Sequence, residues 1–451
     1  MSAGDGIFPL PLTAWERYLL ADDRPSHPMV IWAQLKFDRS PDRQRFRDAI
    51  ADASRVHPLV RCVVRDDRDG PEWHLTPPGD VAVEQSPSSP GGNADGDPRA
   101  IDIRTRPGVR HWLDASDGGA TWTMAVHHSV CDGIGIRQFA VDVLSRYAGR
   151  KRVSTRPRQL THRGDFDRWF NTPPDQPLSV AEKLRAAYYF HVQTPAPIPP
   201  IDAASPVARD ADHGGTGPTR DVLLHRRLDR SQSDDLMTRL GSSGLTLDEL
   251  ALASLFRTLD RCLAAAPPRT RIRITTPIDL RRGEDRYLSA CNRMTYGFIG
   301  RTRGQIEADL AASIAAEKRW MRRTRIYLDF LAGLPFAVDR PRLLRWVLDR
   351  RRPMSSAVLT STGDVLRGLS KIAPRGRRGI RFGDVELIGV HAAAPVRPGT
   401  PITLAVSRFG PDVDVTARWD ARVWTRDQAS RFVDHFVGDF TSRRSPPRDP
   451  S

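Results

Sequence analysis

The sequence predicts a mixed α/β (α+β) protein built as two halves of similar construction, and three observations carry this. The chain has 451 residues, too many for one ordinary core. Strand-period and helix-period apolar patterns alternate on both sides of its middle. Between them lies "QTPAPIPPIDAASPVARDADHGGTGPT" (193–219), rich in Pro, Ala and Gly, which reads as a linker. The expected division is 1–192, a linker at 193–219, then 220–441, with "SRRSPPRDPS" (442–451) as a disordered tail.

In the first half, "MVIWAQLKFD" (29–38) reads as a strand. A helix follows in "SPDRQRFRDAIADASRVHP" (40–58), with Ser40 as its cap and Pro41 in its first turn. "LVRCVVRD" (59–66) alternates as a strand, and "SPSSPGGNADGDP" (86–98) is a loop by composition. The apolar run "ATWTMAVHH" (120–128) reads as a buried strand ending at two histidines. After Gly133 an amphipathic helix is expected, with Ile136, Phe139, Ala140, Val143, Leu144 and Tyr147 on one face.

The second half resumes with the strand "RDVLLHRRL" (220–228). Thr246 and Glu249 form a capping box opening a helix with Leu250, Leu255, Leu259 and Cys262 on its stripe. Further strands are expected at 271–278, 293–299, 355–362, 384–394, 401–409 and 412–420, and a last helix in "TRDQASRFVDHFVGDF" (425–440).

Composition narrows the function. With 39% hydrophobic residues, 10 Trp and 16 Phe, each half can build a sizeable core. The formal net charge of +15 comes from arginine-rich stretches and reads either as a solvated basic surface or as attraction to a polyanion. No helix-turn-helix, zinc-finger or RNP-type signature accompanies it, so nucleic acid is not expected. Cys62, Cys131, Cys262 and Cys291 are never spaced as CxxC, which argues against a disulfide framework and a structural zinc site. The start "MSAGDGIFPLPLTAW" lacks the basic and apolar regions of a signal peptide, and no apolar run reaches eighteen residues. A cytoplasmic protein is the expectation.

The chemistry concentrates in "AVHHSVCDGIGI" (125–136), at a strand–loop–helix junction where side chains are held rigidly beside a cleft. Adjacent strand residues point to opposite faces, so His127 and His128 cannot both chelate one ion if the strand runs through them, and no HExxH or second cluster joins them. No metal is expected there. A general base fits better: one histidine faces the cleft and takes a proton at neutral pH, the other makes structural hydrogen bonds. Asp132 acts in catalysis or pairs with an arginine, and Gly133 permits a tight turn and leaves space beside the base. Cys131 offers a rival nucleophile or simply fills the loop. GxSxG never occurs, which weakens a serine-hydrolase reading.

"HHSVCDG" (127–133) resembles the HHxxxDG signature of the acyl-thioester-dependent acyltransferases. That superfamily includes peptide-synthetase condensation domains, wax ester synthases, polyketide-associated acyltransferases and, more distantly, chloramphenicol acetyltransferase. The resemblance spans nearly the whole chain. "PLTAWERYLL" (11–20) is similar to the N-terminal helix motif, and "VHPLVRC" (56–62) to the segment written RHxxLRT in condensation domains. "TPIDLRR" (276–282) with "NRMTYGF" (292–298) is similar to the PxxLR…N stretch of the second domain. "TSTGD" (360–364) sits where a Ser-Asn-x-Gly-like segment is common, with Thr362 in place of Asn, and "ERYLLADDRPSHPM" (16–29) is similar to the opening of wax ester synthases.

The resemblance implies two chloramphenicol-acetyltransferase-like subdomains in a V-shaped pseudodimer with a central tunnel. It makes His128 the catalytic base and His127, Asp132 and Gly133 structural, with Asp132 paired to Arg281; Arg61 is the rival partner. Ser361, Thr362 or a backbone N–H are the oxyanion candidates. No cofactor is bound. The co-substrate is acyl-CoA or a phosphopantetheinyl carrier protein acting in trans, and the acceptor an alcohol or amine, with lipid acceptors and peripheral membrane contact left open. A monomer is expected because two fused halves complete a tunnel. The alternative is an inactive condensation-like domain that binds a carrier protein or acyl chain.

Overall fold

The computed structural model describes residues 5–77, 83–84, 100–116, 118–150, 156–171, 179–182, 184, 195–201, 222–306, 309–348 and 353–442. The loop expected at 86–98, most of 193–219 and residues 443–451 of the expected tail lie outside the described residues. The described part of 193–219 is pinned to the second half: Ala196 N–H donates to Arg271 O, and Ile198 and Ile201 are buried.

Three sheets organise the described residues. A small one joins β1 (Leu10–Pro11), β3 (Cys62–Asp67) and β4 (Gly70–Leu75) in the order β1-β4-β3. The sheet of the first half contains β2 (Val30–Phe37), β5 (Val83–Glu84), β6 (Val109–Ser116) and β7 (Gly119–His127). The sheet of the second half contains β8 (Val222–Arg227), β9 (Arg271–Asp279), β10 (Met294–Thr302), β11 (Ala357–Asp364), β14 (Ile402–Phe409) and β15 (Asp412–Trp419), ordered β10-β9-β11-β14-β15-β8. The remaining strands, β12 (Ile380–Phe382) and β13 (Val385–Ala393), lie late in the chain yet complete the first sheet, ordered β12-β13-β2-β7-β6-β5. Residues 380–393, within the 220–441 span, thus belong by hydrogen bonding to the first half, with Ala393 opposite Trp32 and His391 opposite Gln34. Pairing of β13 with β2 closes an edge that would otherwise be open.

Local physics accounts for the helices that place the site. The helix α1 (Ala14–Asp22) starts in a capping box of Thr13 and Glu16, and Glu16 is buried against Arg163 at 2.7 Å. The helix α2 (Arg43–Val56) is capped by Asp42, whose carboxylate accepts from Arg45 N–H at 2.7 Å. The cap is therefore Asp42 rather than Ser40, and Pro41 precedes it instead of occupying the first turn. The helix α3 (Gly133–Tyr147) buries all six residues of its expected stripe against the first sheet. The segment expected as a strand from Leu59 first makes a 3-10 turn at Pro58–Arg61, because Pro58 lacks the N–H a ladder needs, and β3 begins at Cys62.

In the second half, α4 (Arg230–Ser243) and α5 (Leu247–Cys262) follow β8, and α5 opens in the Thr246–Glu249 capping box. Three more helices, α6 (Leu310–Thr324), α7 (Leu328–Val338) and α8 (Pro341–Leu348), come between β10 and β11, and α9 (Arg426–Thr441) closes the fold on α5. No helix among the described residues is long and apolar enough to cross a membrane.

Candidate active site

Strand β7 is buried along most of its length, with Trp122, Met124 and Ala125 fully inaccessible, so packing on both faces fixes where it ends. It ends at His127, one residue earlier than the sequence suggested, and His128 begins the turn into α3. The two histidines then diverge. His127 is wholly buried; its Nδ1 accepts from Ser129 N–H at 3.2 Å and its Nε2 lies 3.5 Å from Asp23. His128 N–H donates to Met29 O at 2.7 Å, and its imidazole lines a cavity between the halves.

The turn is clamped from the second half. Asn292 Nδ2 donates to the carbonyls of His128 (2.8 Å) and Ser129 (2.9 Å). Asp132, buried at the start of α3, accepts four hydrogen bonds: both Arg281 guanidinium nitrogens at 2.9 Å, and the N–H groups of Gly135 and Arg293 at 2.8 Å. Asp132 is thus both the N-cap of α3 and the anchor of an ion pair joining the halves. Arg281 also donates to Asp279 and to Cys291 O. The rival, Arg61, is buried elsewhere and donates to Thr76 O.

Electrostatics divide the roles. Burial alone would raise the Asp132 pKa; the charge and hydrogen bonds of Arg281, with the two backbone donors, outweigh it and hold the carboxyl below its ordinary range. Burial pushes His128 below the ordinary histidine value, against the opposing pull of its own carbonyl, Asp132 and Asn292, so the imidazole is neutral at pH 7. Its Nδ1 has no hydrogen-bond partner from another described residue. Burial, followed by the nearby Asp132, raises the Cys131 thiol well above its usual value; a thiol kept protonated inside the core is a packing group, not a nucleophile.

Gly133 lines the cavity with an unstrained backbone, and a Cβ there would meet nothing within 4 Å. Its contribution is open space rather than an unusual turn. The glycine that fits tightly is Gly135, which sequence reasoning passed over: a Cβ would sit 2.7 Å from Cys131 Cβ and 3.0 Å from Cys291 O. The second glycine of "DGIGI" was the signal for it. Asn292 stood inside the quoted "NRMTYGF", but its hold on two carbonyls 164 and 163 residues away has no local signature.

The cavity of about 320 Å³ takes its walls from both halves. One limb is apolar, between the first sheet and α3, and includes Ile31, Ala33, Leu35, Ile136, Ala140 and Leu144. Another side, from the second half, carries Thr275, Tyr296, Ser355, Arg397 and Thr400. Ser361 and Thr362 line it from β11, beside a bulge between Ser361 and Gly363. Ser361 Oγ accepts from Gly363 N–H at 3.4 Å, while the Thr362 hydroxyl is buried without a hydrogen-bond partner among the described residues. An adjoining cavity of about 340 Å³ shares Ile134, Arg137, Asp279 and Arg281 with the first and adds Arg282; with Arg281 paired to Asp132 and Asp279, Arg137 and Arg282 leave this end cationic.

No family model and no curated protein matches the chain. Solved structures do, over nearly their whole lengths. The condensation domain of the Monacolin K polyketide synthase MokA aligns at 14% identity and a TM-score of 0.65, with 96% of each chain covered. A trichothecene 15-O-acetyltransferase from Fusarium sporotrichioides gives 12% and 0.62, covering 96% of this chain and 94% of its own. The starter condensation domain of rhizomide synthetase RzmA, as a mutant in complex with C8-CoA, gives 14% and 0.61, covering 97% and 96%. This chain has the condensation-domain fold. An X-domain and an epimerization domain share it, so the fold alone does not decide the reaction.

Proposed function

We propose that this protein is an acyltransferase that moves an acyl group from a phosphopantetheine thioester to an alcohol or amine, with His128 as general base. The observation that carries this reading is the buried, neutral His128 imidazole at the junction of an apolar limb, a polar wall and a cationic end.

A thioester is already activated, so no covalent enzyme intermediate is needed. Holding donor and acceptor together at one point can remove about 7–11 kcal/mol of entropic barrier in well-oriented systems. His128 takes the proton of the attacking hydroxyl or amine as the new C–O or C–N bond forms. The resulting tetrahedral oxyanion accepts a hydrogen bond from Thr362, whose buried hydroxyl has no partner among the described residues. When the C–S bond breaks, His128-H⁺ returns its proton to the leaving thiolate. Asp132 and Arg281 position the loop and do not exchange protons with substrate.

The apolar limb suits the acyl chain. Ile136, Ala140 and Leu144 line it over nine residues of α3, about 12 Å at about 1.5 Å per step, enough for a medium-length chain. Arg137 and Arg282 at the adjoining end suit the phosphates of coenzyme A or a carrier-linked phosphopantetheine. The polar wall with Thr275, Tyr296 and Ser355 suits the acceptor.

The test is to incubate the protein with acetyl- through palmitoyl-CoA and a pool of alcohols and amines, following thiol release and acylated product by mass spectrometry. Acceptor-dependent product supports the reading. Absence of product with both free and carrier-linked donors overturns it and leaves a binding domain.

A further inference from the structure

Away from the cavity, the two sheets meet at the crossover strand β13. Val390 and Ala392 line the cavity, and His391 between them points to the opposite face, where it is buried at 4% exposure. It meets His225 from β8, ring centroids 4.0 Å apart, and Asp414 from β15. We propose that His225, His391 and Asp414 bind a divalent transition metal of zinc-like preference, tying the sheet of the first half to that of the second.

Geometry and unsatisfied valence support the site. One ligand atom from each of the three residues falls within 4.8 Å of the other two. Both ring nitrogens of His391 and the Oδ2 of Asp414 are buried without a hydrogen-bond partner among the described residues. A neutral imidazole carries one N–H and one lone pair, and the interior satisfies neither. Asp414 Oδ1 is engaged, accepting from His225 Nε2 at 2.7 Å and Arg227 Nε at 3.0 Å, which leaves Oδ2 as the ligand atom. Arg227 then remains as an outer partner orienting the carboxylate. At bond lengths of about 2.0–2.2 Å, a tetrahedral ion holds its ligands about 3.3 Å apart, so side-chain rotations of modest size close the set.

The chemistry selects the ion. Two imidazoles and one carboxylate are a zinc-type donor set, whereas magnesium and calcium take oxygen ligands. A neutral His391 imidazole, buried beside His225, has a lone pair to offer such an ion. Lys36 and Arg227 also face His391, so Asp414 supplies the negative charge without which a dication would be repelled. The half-exposed side of His225 is where water reaches the fourth position.

The experiment uses the full chain, stripped with a chelator and titrated with zinc, reading stoichiometry by elemental analysis and Tm by tryptophan fluorescence. Cobalt substitution supplies a visible absorption signature of the ligand set. One equivalent of zinc that raises Tm is expected. His225→Ala and His391→Ala should each weaken its binding by more than about a hundredfold, since outer partners alone are worth about 10–100-fold. His225 is half-exposed, so its variant keeps the test open if His391→Ala does not fold. No saturable equivalent, or binding unchanged in His225→Ala, overturns the proposal. Binding abolished by His128→Ala instead would place the ion in the cavity and overturn it equally.

Discussion

Arg281→Ala tests whether the Asp132–Arg281 pair pins the two halves together. Both side chains are almost fully buried, at 7% and 4% exposure. Removing the guanidinium leaves a buried carboxylate that keeps the N–H donors of Gly135 and Arg293 but has lost its countercharge. Breaking one side of such a pair costs about 3–5 kcal/mol. Asp132→Ala removes the α3 cap, about 1 kcal/mol, and strips Arg293 N–H of its acceptor, about 1–3 kcal/mol. Arg281 meanwhile keeps Asp279 and Cys291 O. The double variant therefore destabilises little more than Asp132→Ala alone, a coupling of about 3 kcal/mol. At about 2–4 °C per kcal/mol for a unit the size of one half, Arg281→Ala lowers Tm by roughly 6–20 °C. The sign with pH follows from the depressed Asp132 pKa: the pair's contribution is complete above the ordinary carboxylate range and disappears as pH falls through the lower folded value. The assay is thermal unfolding followed by tryptophan fluorescence at neutral and acid pH. Additive single and double variants, or a loss under about 1 kcal/mol for Arg281→Ala, would refute the reasoning.

Three further outcomes are expected. Gly135→Ala drives a Cβ against Cys131 and the Cys291 backbone and should cost about 1–3 kcal/mol, seen as a lower Tm; a wild-type Tm would mean the halves pack more loosely there. Ala140→Phe fills the apolar limb and should shift preference in an acyl-CoA panel toward shorter chains, whereas an unchanged profile would move the acyl site elsewhere. Because His128 acts neutral and burial lowers its pKa, kcat/KM should fall only as pH drops below the ordinary histidine value near ~6.5. An acid limb above pH 7 would contradict that assignment.

Much of this was legible in the sequence because it is local. The run "ATWTMAVHH" names a buried strand by its predominantly apolar, strand-forming residues, and the Thr246–Glu249 box marks a helix start that the structure places at the same residue. Where a nearer competitor existed, local reasoning erred: Asp42 outbids Ser40 as a cap because its carboxylate reaches Arg45 N–H. Strands β4 and β6 escaped notice, since "GPEWHL" and "VRHWLDAS" are interrupted by polar residues that periodicity counts against them. The crossover of β13 into the first sheet escaped for a different reason. A strand's pattern reveals its faces but not its neighbour, and pairing with β2 lies some 350 residues back along the chain. The same holds for Asn292, whose amide matters only because the fold brings it to the carbonyl of His128.

The most direct test of the central claim is acceptor-dependent thiol release by wild type and His128→Ala, with circular dichroism and Tm to certify that the variant is folded. A general base in this position is worth about 10²–10⁴-fold. A folded His128→Ala protein is expected whose kcat falls by that factor while donor binding persists. A folded variant that transfers acyl groups at the wild-type rate would contradict it.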